Sequence, residues 1–204
     1  MENPVASGFV LLVRVLTGVV AQWKGCAPDP TPRVYFANHT SHLDALVIWS
    51  SLPPELRETT RPVAARDYWD RNALRRYLAQ NVFRAVLIDR TLPRGAHASI
   101  QAMSNALDRG QSLILFPEGT RGNGTEIGTF RSGLFHLAQA HPELDLVPVL
   151  LQNLNRVLPK GEFLPVPLLG SATFGKPMRL SPDEAKPDFL ERARQTVSAM
   201  RDPR

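Results

Sequence analysis

An imidazole and a carboxylate stand five positions apart, as His39 and Asp44, in the stretch Asn38-His39-Thr40-Ser41-His42-Leu43-Asp44. On a regular helix the two side chains would diverge by roughly 140°, so they meet only if a turn folds one onto the other. Brought together, they make a base: the imidazole takes a proton from a hydroxyl while the carboxylate fixes its tautomer and orientation. The same residues admit two other readings. Ser41-x-x-Asp44 is a capping-box pattern, in which Ser41 caps a helix and Asp44 serves its third position. His39, His42 and Asp44 are also residue types that bind metals, although no cysteine cluster or HExxH pattern accompanies them.

Such a stretch needs a frame that puts it in a cleft. Val34-Tyr35-Phe36-Ala37 reads as a buried strand and Asp44 to Trp49 as the start of an apolar helix, so the polar residues occupy a strand-to-helix turn. Two further buried strands end in polar loops. Val82 to Ile88 runs into Asp89-Arg90, and Ser112 to Phe116 runs into Pro117-Glu118-Gly119-Thr120-Arg121-Gly122. Flexible backbone, a carboxylate and an arginine at a strand end make an anion-binding mouth. In an α/β sheet the carboxyl ends of the strands converge on one crevice, so the base, its carboxylate and the arginines would share a cleft.

Helices are expected between those strands. Leu46 to Leu52 ends at Pro53-Pro54, and a short strand follows at Pro62 to Ala65. Tyr68, Trp69, Leu74, Tyr77 and Leu78 alternate with Arg71, Arg75 and Arg76. That is a basic amphipathic helix, suited to anionic lipid or to the core with a solvated face. Ala96, Ile100, Met103 and Leu107 share one helical face, stopped by Gly110. Gly133 to Ala140 is a short helix, and Leu146 to Leu151 a strand broken by Pro148. Asn155 to Pro167 is a proline-rich loop, and Ser171 to Leu180 holds one or two strands. A last helix starts at Ser181-Pro182-Asp183-Glu184, with Pro187 kinking or restarting it, and buries Phe189, Ala193, Val197 and Met200.

With 204 residues, 43% hydrophobic and 21% charged, the chain suits one globular domain with a full core. A single cysteine, Cys26, excludes an intrachain disulfide and fits a reducing compartment. The net charge of +5 comes mostly from arginine, lysine being confined to Lys24, Lys160, Lys176 and Lys186. Arginine excess suits phosphate groups on a membrane surface or a substrate, and no motif for binding nucleic acid is present. Phe9 to Ala21 is the most apolar segment, but Arg14 interrupts it and it is shorter than the ~20 residues that span a bilayer. Its acidic start and the poor cleavage site at Val19-Val20-Ala21 do not fit a secretory signal. It reads as a helix lying in a lipid interface, with Trp23 and Lys24 at the headgroups, or as one packed on the domain's own core. Gly25 to Pro32, with its three prolines, reads as a linker. The chain is thus divided into an N-terminal hydrophobic helix over 1–24 and a main domain over 33–204.

The polar blocks resemble those of the glycerolipid acyltransferases, the lysophosphatidic acid acyltransferase (PlsC-like) family. Asn38-His39-x-Ser41-x-x-Asp44 is similar to its H-x4-D motif, and Leu87-Ile88-Asp89-Arg90 to its second block. Phe116 to Gly122 is similar to its FPEGTR block and Val147-Pro148-Val149 to its fourth, with Phe130-Arg131-x-Gly133 similar to the segment after the third. The blocks keep the family's order over roughly residues 33 to 150. The resemblance implies a single α/β domain with a mixed, mostly parallel sheet flanked by helices and an N-terminal amphipathic, membrane-associating helix. It implies transfer of a fatty acyl group from acyl-CoA or acyl-carrier protein to the hydroxyl of a lysophospholipid, above all 1-acylglycerol 3-phosphate. The setting would be the cytoplasmic face of the cell membrane, with membrane phospholipid as partner and neither metal nor other cofactor.

Carried over by position, His39 is the general base and Asp44 its partner, while Arg90, Glu118, Gly119, Thr120 and Arg121 hold the acceptor's phosphate and glycerol. Gly122 stands where a serine is frequent and His42 where an aromatic is frequent, and both positions bear on the acceptor. The alternative is a non-catalytic, membrane-peripheral lipid-binding protein of the same fold; a metal hydrolase using His39, His42 and Asp44 is the third reading.

Overall fold

The computed structural model describes residues 4–89, 95–153 and 170–201. Its strands are β1 (Val20–Trp23), β2 (Arg33–Ala37), β3 (Thr60–Ala65), β4 (Val86–Ile88), β5 (Ser112–Leu115), β6 (Asp145–Gln152) and β7 (Ser171–Phe174). They form one seven-stranded sheet in the order β1-β7-β6-β2-β5-β3-β4. Every neighbouring pair is parallel except β6 with β7. The helices are α1 (Pro4–Thr17), α2 (Asp44–Ser51), α3 (Pro54–Thr59), α4 (Arg66–Trp69), α5 (Ala73–Tyr77), α6 (Gly95–Asp108), α7 (Gly133–Ala140) and α8 (Lys186–Ala199). This is the expected single α/β domain with a mostly parallel sheet flanked by helices.

The sheet is covered on both faces, which is why its central strands are apolar throughout rather than alternating. All five residues of β2 are buried. Tyr35 and Ala37 enter one core with Val10, Val13, Val47, Ile48 and Phe83, under α1 and α2. Val34 and Phe36 enter the other with Met103, Leu107, Leu134, Phe189 and Val197, under α6, α7 and α8. Each such side chain contributes about 1.5–3 kcal/mol on full burial. A slip of β2 by one residue would exchange the two faces and carry His39 away from Glu118, which its backbone N–H meets at the sheet's end. Packing of an apolar strand therefore fixes where the polar turn begins.

Five expectations are corrected. The strand expected from Val82 begins only at Val86, because Leu78–Val82 is a turn of π-helix. Phe83 closes it, edge-on to Phe9 at 5.7 Å and to Trp49 at 5.5 Å. The single helix expected over Tyr68 to Leu78 is divided into α4 and α5, because Asn72 caps α5 by accepting from Arg75 N at 2.8 Å. Pro148 does not break β6. Its carbonyl accepts from Gly175 N at 2.9 Å, so its missing N–H faces the end of β7 and the ladder with β2 stays whole. The last helix starts at Lys186, not Ser181; Glu184 reaches back to Ser181 N at 3.1 Å in a turn of its own, and Pro187 lies in the first turn of α8. Trp23 belongs to edge strand β1 and stacks on Phe174 at 4.0 Å, so it is not a headgroup anchor on a helix.

The loop expected over Asn155 to Pro167 lies outside the described residues, as does Arg90. In α1, Val10 and Val13 are buried while Leu11 is 65% exposed, Leu12 50% and Val15 70%, so apolar residues occupy both sides of the helix. Arg14 reaches across to α2 and donates to Ser50 O at 2.7 Å. Among the described residues no helix is long and apolar enough to cross a membrane.

Candidate active site

Neighbouring parallel strands bring the two polar loops together. β2 and β5 are paired with Phe36 opposite Leu115, so the residues that follow each strand leave the sheet side by side. His39 follows one and Phe116 to Glu118 follow the other. The imidazole of His39 lies on the ring of Phe116, centroids 4.3 Å apart and 21° from coplanar. Its Nδ1 is 2.8 Å from Asp44 Oδ2; the histidine side chain is 23% exposed and the carboxylate wholly buried. The turn does bring base and carboxylate into contact.

The capping box forms only in part: α2 starts at Asp44 itself, after Leu43, so Ser41 is not its N-cap and Asp44 is not its third residue as the sequence suggested. Asp44 Oδ2 accepts from Thr40 N at 2.6 Å and Ser41 N at 2.8 Å, while Ser41 Oγ accepts from Leu43 N at 3.2 Å. One carboxylate oxygen thus holds the turn ahead of α2 and orients the imidazole, so Asp44 serves the turn and the base with one set of bonds. Asp44 Oδ1 is buried and takes no hydrogen bond among the described residues. A carboxylate so incompletely compensated gains most when the imidazole against it becomes positive.

Glu118 has a different place from the one expected. Its Oε1 accepts from His39 N at 2.8 Å and its Oε2 from Gly128 N at 2.9 Å. Both oxygens are engaged by backbone, and the residue is buried. Its position is that of a clamp joining three loop segments rather than of a group turned to a ligand. Gly122 N donates to His39 O at 2.8 Å and closes the same junction. Arg131 fastens the loop from outside: its backbone N–H donates to Pro117 O at 2.8 Å and its Nε to Glu118 O at 3.2 Å. Gly119 has φ +72°, which strains any other residue, and a Cβ there would come within 2.6 Å of Arg131 Nε and displace that side chain. Asn38 does for β2 what a backbone unit would: Leu151 N donates to its Oδ1 at 2.8 Å and its Nδ2 donates to Leu151 O at 3.0 Å.

Thr120 and Arg121 are exposed at the loop tip. Arg121 lies near His42, whose pKa is lowered chiefly by burial, then by the charges of Arg121, His39 and Arg75. His42 stacks on Tyr68 at 5.5 Å, and among the described residues no group of three or more His, Cys, Asp or Glu side chains forms a metal-ligand set. The structure therefore unites His39, Asp44, Glu118, Gly119 and Arg121 at one end of the sheet and adds Asn38, Phe116, Tyr68, Arg75 and Arg131. Phe116 and Asn38 were readable as strand-end residues. Arg75 and Tyr68 were legible as part of a basic amphipathic segment but not as neighbours of His39, since only the path of β3 beside β5 brings them here. Chemically, the pair offers a ring nitrogen, Nε2, with a buried carboxylate behind it, flanked by cations. Such a group removes a proton from a hydroxyl.

The family model described as Acyltransferase matches residues 24–152. A 1-acyl-sn-glycerol-3-phosphate acyltransferase of Limnanthes alba is 32% identical over 165 residues, 77% of this chain and 54% of the relative. One of Salmonella typhimurium is 29% identical over 127 residues, 59% of this chain and 46% of the relative. The chain spans about half the length of the curated relatives it matches. The crystal structure of the 1-acyl-sn-glycerophosphate acyltransferase PlsC from Thermotoga maritima superposes with a TM-score of 0.71 at 18% identity, covering 98% of this chain and 81% of that one. At that identity the likeness is one of fold.

Proposed function

This chain belongs to the acyltransferase family, and from that premise we propose that it moves a fatty acyl group from a thioester donor to the hydroxyl of a lysophospholipid. The acceptor is 1-acylglycerol 3-phosphate and the product phosphatidate, as the relatives' names suggest. The donor is acyl-CoA or acyl-carrier protein. The observation that carries the reading is the 2.8 Å contact between His39 Nδ1 and buried Asp44 Oδ2, with Nε2 taking no hydrogen bond among the described residues.

In this reaction the acceptor oxygen attacks the thioester carbonyl as His39 Nε2 takes its proton. The C–O bond forms, the C–S bond breaks, and the proton passes from the imidazolium to the departing thiolate. Asp44 keeps the Nδ1 proton in place and balances the transient charge. General-base help of this kind contributes about 10²–10⁴-fold in rate. Arg121 takes the acceptor's phosphate, and Arg90 assists from the second block. No serine or cysteine nucleophile, metal or cofactor enters the sequence of steps. Leu11, Leu12 and Val15, the exposed side of α1, supply the contact with the lipid surface, at the cytoplasmic face of the membrane.

The test uses the purified chain with acyl-CoA and lysophosphatidate, following free thiol and phosphatidate together. His39→Ala should lower kcat by about 10²–10⁴-fold while vesicle binding is retained. Full turnover in that variant removes His39 from the chemistry. Lipid binding without thiol release by the wild type favours the non-catalytic alternative.

A further inference from the structure

Four arginines lie on or between the short helices α4 and α5, and they are not equivalent. Arg66 and Arg76 both turn to Asp70, at 3.9 Å and 3.4 Å. Arg75 turns the other way. Its guanidinium sits over the ring of Tyr68 at 4.6 Å, and Tyr68 in turn stacks on His42 at 5.5 Å and 22°. The stack arginine, tyrosine, histidine thus ends three residues from His39. Tyr68 and Arg75 are half-buried, and among the described residues neither Arg75 nor Arg121 takes a carboxylate partner.

Stacking occupies the face of a guanidinium and leaves its N–H donors around the edge, in the planar fork that matches a phosphate. A cation–π contact of this kind contributes about 0.5–1 kcal/mol at an exposed site. That is enough to restrict the side chain, though not enough to explain a cation placed beside a second cation and two imidazoles. The His42 pKa is lowered by burial first and then by the charges of Arg121, His39 and Arg75, with Asp44 acting the other way. A phosphate monoester, with about −1.5 to −2 charge at neutral pH, supplies the balance.

We infer that Arg75, held by its stack on Tyr68, forms with Arg121 a subsite for a phosphate group of a substrate, beside His39. This rests on the acyl-transfer reading and assigns a second, separately carried cation to it. The chemistry is that of a phosphate ester; both the acceptor headgroup and coenzyme A carry one.

Kinetic arms separate these sources. In the full chain, acceptor is titrated at saturating acyl-CoA and acyl-CoA at saturating lysophosphatidate, for wild type, Arg75→Ala, Arg75→Lys and Tyr68→Leu. Loss of a charge-assisted bidentate contact should raise one KM by about tenfold or more in Arg75→Ala, with kcat changed by less than about twofold. Arg75→Lys should recover part of it, and Tyr68→Leu should raise the same KM by a smaller factor with the thermal midpoint preserved. A rise in the acceptor KM places the lysolipid phosphate there, and a rise in the acyl-CoA KM places a coenzyme phosphate there. If neither KM moves, or kcat alone falls, the subsite is wrong. Should the wild type release no thiol with any lysolipid, it is the acyl-transfer reading that has failed. The subsite is then read from Trp69, whose ring is 5.7 Å from Tyr68. Its fluorescence should respond saturably to glycerol 3-phosphate but not glycerol, and lose that response in Arg75→Ala; no saturable response in the wild type overturns the subsite.

Discussion

The candidate site has two walls built on opposite plans. On the wall formed by β2 and β5, polar groups are buried and bound to backbone. Asp44 Oδ2 receives the imidazole and two amides, Glu118 receives an amide on each oxygen, and the Asn38 amide spans to Leu151 in both directions. On the wall formed by α4, α5 and the tip of the glycine loop, Arg75, Arg121 and His42 are partly or fully exposed, and among the described residues they rest on ring faces or on no carboxylate partner. A buried polar atom left without a partner costs about 1–3 kcal/mol, so the first wall is completed within the fold at every one of these atoms except Asp44 Oδ1. An exposed cation carries no such cost and can await its ligand. The first wall should therefore control rate and stability together, and the second affinity without stability.

The largest effect is expected at Asp44. Asp44→Ala strips His39 of its orienting acceptor and leaves Thr40 N and Ser41 N unmet. kcat should fall by about 10²–10⁴-fold and unfolding free energy by about 2–4 kcal/mol, seen in thiol release and in denaturant melts. A rate loss without a stability loss would mean that the turn-holding and catalytic halves of the bond set are separable. Glu118→Gln comes next. The amide turns one acceptor into a donor facing a backbone N–H, at a cost of about 1–3 kcal/mol, or several degrees in Tm. The acceptor KM should hardly change. A raised KM at unchanged Tm would return Glu118 to the substrate-binding role the sequence suggested. Arg121→Ala, on the other wall, should reverse the pattern: KM for phosphorylated acceptors up by about tenfold and Tm within a degree or so of the wild type. A fall in Tm comparable to that of Glu118→Gln would erase the distinction between the walls.

What the sequence disclosed follows the same division. Strands β2 and β5 are short apolar runs that pack by themselves, and a polar residue directly after such a run must sit at the sheet's end; His39 and the glycine loop were legible for that reason. Glu118 was legible as a residue of the site but not in its role, because its partners are the amides of His39 and Gly128, and backbone donors leave no mark in side-chain identity. Helix breaks were hidden for a related reason. The division of Tyr68 to Leu78 depends on Asn72 preferring a cap to a helical turn, and the π-turn before Phe83 depends on the fit of that ring between Phe9 and Trp49. β1 was lost because its partner β7 lies far along the chain, and pairing to it turned the end of an apolar segment into an edge strand.

The smallest effect tests the rim through proton uptake. His42 has its pKa lowered from 6.5 by burial first and then by Arg121, His39 and Arg75. Below that value the unfolded chain binds the proton more readily than the folded one, so this group's contribution to stability is present above about pH 6.5 and lost as pH falls through the folded pKa. His42→Phe keeps a ring to stack on Tyr68 and removes the titrating group. Between pH 7.5 and 5.5 the variant should therefore lose less Tm than the wild type, by about a degree, the exposure of the ring keeping the difference small. Adding inorganic phosphate should shrink that difference, because an anion among the cations offsets the repulsion that holds His42 neutral. Identical pH slopes in both proteins would show that the cations act on His42 too weakly to matter. A difference that phosphate leaves untouched would trace the depressed pKa to burial alone and leave the rim without evidence of an anion.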